Sequence, residues 1–265
     1  IKLLFWFLQE RNCMKKESYL TINVDFTSSK NNFLILSASI PFEWRWLPVY
    51  FSMRNYPKKK SQLNQQLMEC FFIQQLSKLL PKSYRYIIVW DRWFWNTRFM
   101  KLCEDNWFSY IVRTQENWLL EKWWEIENMK DIIKNTHRQN KDLWNIILKN
   151  SWIKTRVILN FKKWINKGWY IFTNLSKKDF TSDIVWQQCY WNRFKIEKMF
   201  QDEKLSGFKI ENTKIQKYSR FKRLLFWVYI AQMLTMFIWD YINDNLDEIK
   251  KKFVLHTKLI YPFLD

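Results

Sequence analysis

Apolar and polar positions alternate along residues 19–27 (YLTINVDFT), which are rich in β-branched side chains, so this segment predicts a strand. Residues 32–39 (NFLILSAS) and 47–53 (LPVYFSM) predict two more strands, and together the three make a meander. The period changes over 61–80, where Leu63, Leu67, Phe71, Ile73, Leu76 and Leu79-Leu80 recur at helical spacing and Pro81 closes the helix. Tyr86-Ile87-Ile88-Val89 is a short apolar strand running into Asp91, followed by a predicted helix near 96–105 and a strand over 108–113 (FSYIVR). A strand–helix–strand unit with a carboxylate at the strand's end suits an α/β sheet, where sites gather at that edge. From about 116 to 180 the pattern is irregular and strand-prone, with RVILNF at 156–161 and YIFTNL at 170–175. From Asp183 onward it is helical almost to the end.

Lys and Arg number 44 against 25 Asp and Glu in 265 residues, a formal charge of +19. An excess of that size points to a polyanionic partner, although charge alone is also compatible with a basic protein that binds no nucleic acid. With 48% hydrophobic residues the chain has enough apolar surface for a core. Cys13, Cys70, Cys103 and Cys189 are scattered, with no CxxC pair, and only His137 and His256 are histidines. A zinc site or disulfide framework is not expected, and the cysteines read as small buried hydrophobes in a reduced, cytoplasmic setting. The longest uncharged run, Leu224 to Trp239, is short for a membrane span and reads as a buried core helix, so no membrane is expected.

The residue alphabet is anomalous. Glycine occurs twice, at Gly168 and Gly207, and tryptophan 18 times, whereas usual composition, at about 7% glycine, would give roughly 18 or 19 glycines. Tight turns need positive φ, which glycine supplies most easily. Two readings follow: a tryptophan-rich protein, or one in which UGA codons for glycine have been read as tryptophan, with Trp46, Trp93, Trp107 and Trp239 among the candidates. Trp169 follows a glycine and opens an apolar strand, and reads as tryptophan.

The sharpest pattern is YWNRFKIEKMFQDEK, with Tyr190, Arg193, Glu197 and Lys204. In a regular α-helix their offsets keep all four within roughly 60° of arc. A carboxylate flanked by cations suits a metal ligand beside phosphate-gripping side chains. The same spacing also suits a surface helix with i,i+4 charge pairs.

Tyrosine, two residues, arginine, three residues, glutamate, six residues, lysine resembles the signature of insertion-sequence DDE transposases of the IS four family. Val24-Asp25-Phe26-Thr27 resembles that family's first-aspartate strand, and Val89-Trp90-Asp91-Arg92-Trp93-Phe94 its second-aspartate motif. Arg45-Trp46-Leu47-Pro48 and Tyr110-Ile111-Val112-Arg113 resemble two further strands. The resemblance covers about residues 18 to 245, and its departures are mostly tryptophan where the family has glycine.

The resemblance implies an α/β fold with an RNase H-like core, a mixed five-stranded sheet with flanking helices, interrupted by a β-rich insertion before the glutamate helix. The expected division is a remnant of an upstream region (1–17), the core's first part (18–115), the insertion (116–182), the core's second part (183–250) and a tail (251–265). The chain opens without methionine and is expected to be an N-terminally truncated copy. Asp25, Asp91 and Glu197 are then the catalytic residues and the ligands of two Mg²⁺ or Mn²⁺ ions. Such a site cleaves DNA and transfers the strand at transposon ends. Tyr190, Arg193 and Lys204 are implied to contact DNA phosphates; Arg92 either does the same or orients the strand end. Lys214, Lys217, Arg220, Lys222 and Arg223 are candidates for backbone contact, about equally a solvated helix face. A homodimer on two DNA ends, in a bacterial, nucleoid-associated setting, follows by the same resemblance. The competing expectations are a nuclease that cuts without joining and an inactive, transposase-derived DNA-binding protein.

Overall fold

The computed structural model describes residues 19–42, 45–56, 62–91, 97–122, 125–135, 139–149, 151–161 and 168–246. The expected upstream remnant and tail, together with Arg92 and Trp93, lie outside the described residues. The chain divides into two compact units, residues 1–218 and 219–265.

The first unit is mixed α/β. Its ten strands are β1 (Tyr19–Ser29), β2 (Phe33–Phe42), β3 (Arg45–Asn55), β4 (Arg85–Trp90), β5 (Phe108–Thr114), β6 (Leu119–Lys122), β7 (Glu125–Asn128), β8 (Lys141–Leu148), β9 (Ile153–Asn160) and β10 (Trp169–Thr173). They form one sheet in the order β3-β2-β1-β4-β5-β10-β9-β8-β6-β7. The meander is antiparallel, whereas β1, β4 and β5 run parallel. Helix α1 (Gln62–Leu79) connects β3 to β4, and α2 (Thr97–Asp105) makes the β4-to-β5 crossover that parallel neighbours require. β4 reads as a continuous apolar run because it is covered on both faces: Tyr86 to Trp90 are all buried.

Two expectations are corrected. The sheet has ten strands rather than five, because residues 116–182 do not stand apart from it. β10 pairs antiparallel with β5, and β9, β8, β6 and β7 continue outward from there, with the short helix α3 (Met129–Asn135) after β7. Secondly, the region after Asp183 is not uniformly helical. A wide π-helical segment (Ile184–Tyr190), a tight 3₁₀ turn (Trp191–Phe194), helix α4 (Lys195–Gln201) and a second π segment (Asp202–Ser206) follow one another. Extended chain then carries only a 3₁₀ turn at Ile210–Asn212 before helix α5 (Tyr218–Asp244). The π segment packs Val185, Trp186, Cys189 and Tyr190 onto Ile87, Val89, Ile111, Ile158 and Ile171 of the sheet. Burying this apolar face is what fixes the following helix over the strand ends.

In the second unit, α5 is a 27-residue helix of mean hydropathy 1.4 over its most apolar window, long and apolar enough to cross a membrane.

Candidate active site

The parallel register between β1 and β4 positions the first two acids. Tyr19 pairs with Arg85 and Asn23 with Val89, so partners differ by 66 positions throughout. Asp25 and Asp91 differ by the same 66 positions and continue that register just beyond the last paired residue, side by side at the C-terminal ends of neighbouring parallel strands. Side chains in register on parallel strands project to the same face. The sequence thereby places two carboxylates together across a long stretch of chain.

Arg193, in the 3₁₀ turn, lies between them. Its side chain is only 4% exposed; Nη1 donates to Asp25 Oδ2 and Nη2 to Asp91 Oδ2, each at 3.0 Å. Nη2 is 3.6 Å from Glu197 Oε1, one helical turn further on. One guanidinium thus faces all three of the acids singled out by the sequence. The three are not equivalent: the Asp25 and Asp91 side chains are largely covered, whereas that of Glu197 is 61% exposed. Among the described residues no three acids stand close enough together to hold a metal ion as arranged.

The electrostatics of the pair follow from its burial. Burial pushes the Asp25 carboxyl up to about 6 from an ordinary 3.8, against the pull of Arg193 and a hydrogen bond from the Phe26 amide, while the neighbouring Asp91 charge adds to the rise. Two carboxylates this close resist joint ionisation unless a cation sits between them. Arg193 is that cation in this structure.

The remaining signature residues occupy different surroundings. Tyr190 is fully buried, donates to Asp91 Oδ1 at 3.4 Å and stacks on Trp186 at 5.5 Å between ring centres. Lys204 donates to the Ser28 carbonyl at 2.6 Å and lies 3.9 Å from Glu211. The four residues do not form the single exposed stripe that a regular helix would give, because the π and 3₁₀ segments change the rotation per residue between Tyr190 and Lys204. Tyr190, Arg193 and Glu197 gather at the aspartates, and Lys204 fastens the end of the helical run to β1. Lys214, Lys217, Arg220, Lys222 and Arg223 are all exposed.

One neighbour was not singled out from sequence. Arg113 on β5 has Nη1 4.0 Å from Asp91 Oδ1, and its guanidinium lies 3.8 Å from the centre of the Trp169 ring. The available signal was its place in the strand after the second aspartate. Of the four cysteines, Cys103 and Cys189 are buried as expected, Cys70 is only half-buried, and Cys13 lies outside the described residues.

No protein-family model and no curated protein sequence matches the chain. Among solved structures, the catalytic domain of human endonuclease V aligns at 10% identity over 77% of this chain and 97% of that one, with a TM-score of 0.41. Endonuclease V of Ciona intestinalis, in complex with inosine-containing DNA, aligns at 11% identity over 74% and 87%, with a TM-score of 0.35. The NurA nuclease from Sulfolobus solfataricus aligns at 8% identity over 69% and 84%, with a TM-score of 0.34. Likeness this distant assigns no reaction to the chain, and the functional reading rests on the site.

Proposed function

We propose that the chain is the catalytic part of a DDE transposase of the insertion-sequence IS four family, with an RNase H-like core formed by β1 to β5 and their helices. The observation that carries this reading is the meeting of Asp25, Asp91, Arg193 and Glu197, distant in sequence, at the ends of two parallel strands. The order β3-β2-β1-β4-β5 within the sheet, with Asp25 on β1, Asp91 just past β4 and Glu197 on α4, supports this reading.

The donors suit a hard divalent cation. They are carboxylate oxygens, and they already surround a positive group, which fits Mg²⁺ or Mn²⁺ better than a softer metal. Asp25, Asp91 and Glu197 would hold such ions, which when bound activate a water or DNA 3′-hydroxyl and stabilise the leaving oxygen of an in-line displacement. The chain's own groups do the rest. Arg193 neutralises the aspartate pair, and its fork of donors is of the kind that matches a phosphate. Tyr190 keeps Asp91 oriented from below, and the exposed cations of 214–223 supply backbone affinity. DNA is the partner in this reading, with two copies of the chain joining two transposon ends in a cytoplasmic, nucleoid-associated complex.

Strand transfer separates this reading from that of a nuclease. The chain is incubated with a labelled duplex bearing the element's end and an exposed 3′-hydroxyl, a supercoiled plasmid and Mg²⁺ or Mn²⁺. Covalent label in the plasmid, absent with Asp25→Asn, is the expected result. Plasmid nicking without label would leave a nuclease and refute transposition.

A further inference from the structure

Five described residues other than glycine have positive φ: Asn32, Trp107, Asn145, Trp152 and Lys209. Asparagine tolerates this left-handed region through its short polar side chain; a bulky aromatic residue there is an outlier. Neither Gly168 nor Gly207 has positive φ. The backbone positions that most favour glycine are thus held by other residues, two of them tryptophan.

Both tryptophans stand at places with a defined demand. Trp107 (φ 66°) lies just past α2, where the Asn106 amide donates to the Cys103 carbonyl and the Trp107 amide to that of Glu104, both at 3.1 Å. This is the left-handed position that ends a helix, most often taken by glycine, and it turns the chain directly into β5 at Phe108. Trp152 (φ 56°) closes the connection from β8 to β9; the amides of Ser151 and Trp152 both donate to the Leu148 carbonyl, at 3.0 and 2.9 Å, and pairing resumes at Leu148 with Ile153. A left-handed residue beside the first pair of a tight hairpin is again a glycine position.

Nothing offsets the strain. Trp107 is 93% exposed and Trp152 75%, so neither indole gains burial. Other tryptophans differ: Trp90 is buried against Phe99 and Tyr110, Trp169 packs between Arg113 and Trp186, and Trp46 is buried with Nε1 donating to the Asn192 carbonyl at 3.0 Å. None of these three has positive φ. Trp46 and Trp239, singled out from sequence, thus show no backbone demand for glycine.

We propose that positions 107 and 152 carry glycine in the protein as its own cell makes it, their codons being UGA read there as glycine, and that the tryptophans are a product of the standard reading. The inference stands apart from the proposed function. Its test is mass spectrometry of protein purified from the native cell, reading the tryptic peptides 102–113 and 150–154. Glycine at both positions is expected; tryptophan at either overturns the proposal for that position. A second measurement uses the chain made with tryptophan throughout. Trp107→Gly and Trp152→Gly should each raise its melting temperature, and Trp90→Gly should lower it. No gain from either of the first two would overturn the conformational argument.

Discussion

Asp25 and Asp91 continue the 66-residue parallel register of β1 and β4 two residues past its last pair, and a single guanidinium, that of Arg193, binds both at 3.0 Å. The arrangement has a direct energetic consequence, because each partner is costly to bury alone.

Arg193→Met leaves two carboxylates facing each other with no cation between them. Removing one partner from a buried ion pair typically destabilises by about 3–5 kcal/mol, and a loss of that order is expected in urea unfolding. Adding Asp91→Asn to the same chain should recover part of it, since the two changes share an interaction. A loss below about 1 kcal/mol, the value of a surface pair, would mean that the pair is not closed in solution.

A second buried pair lies outside the site. Arg156, with a fully covered side chain, donates Nε and Nη2 to the two oxygens of Asp142 at 2.8 and 2.7 Å and Nη1 to the Phe180 carbonyl at 2.6 Å. It ties β8 and β9 to the segment entering the helical run. Asp142→Ala is expected to cost about 3–5 kcal/mol in the same assay, more than Arg156→Met in a chain already lacking Asp142.

Stability should fall as pH rises through neutrality. Burial pushes the Glu203 carboxyl up to about 8 from an ordinary 4.5, against the pull of Lys204, and its Oε1 has no hydrogen-bond partner. The folded chain therefore holds a proton that the unfolded chain releases. The stabilisation is complete below about pH 4.5 and is lost progressively up to about pH 8; Asp25 contributes with the same sign between 3.8 and about 6. Glu203→Gln should remove most of the fall, worth on the order of a few kcal/mol at about 1.4 kcal/mol per unit. Parallel melting-temperature profiles of wild type and variant across that range would contradict the assignment.

For DNA binding, the exposed Lys214 and Lys217 differ from Lys204, which is engaged by Ser28 and Glu211. Lys214→Ala and Lys217→Ala should each reduce the salt slope of DNA binding by about one. Lys204→Ala should leave that slope unchanged and lower stability instead. A slope change with Lys204 and none with the other two would reverse these roles.

Much of this was legible in the sequence where one physical rule dominates. The meander, α1, β4, α2 and β5 appear within a few residues of their predicted bounds, because apolar runs and spacing mark them, although the face of α1 differs: Leu67, Phe71 and Leu79 are exposed, whereas Met68, Phe72, Ile73 and Leu76 are buried. β7 (Glu125–Asn128) gave no such signal: its side chains are mostly exposed, and edge pairing rather than burial holds it. The letters of the Tyr190–Lys204 signature were legible, but their directions were not. A constant 100° per residue predicts one stripe, and the π turns that accommodate Trp186 and Tyr190 on the sheet break that constancy. The burial of Arg193 was hidden for the same reason, since nothing local distinguishes a surface arginine from one facing two aspartates on distant strands.

The central claim is that Asp25, Asp91 and Glu197 form a metal-dependent DNA-cleaving centre, and nicking of supercoiled plasmid tests it most directly. Wild type should nick in Mg²⁺ or Mn²⁺ and not in chelator, while Asp91→Ala and Glu197→Gln should bind DNA with wild-type affinity yet cleave at least about 100-fold more slowly, since loss of a group that merely supports a metal ligand already costs about 10–100-fold. Cleavage by either variant at the wild-type rate would contradict the assignment of these carboxylates.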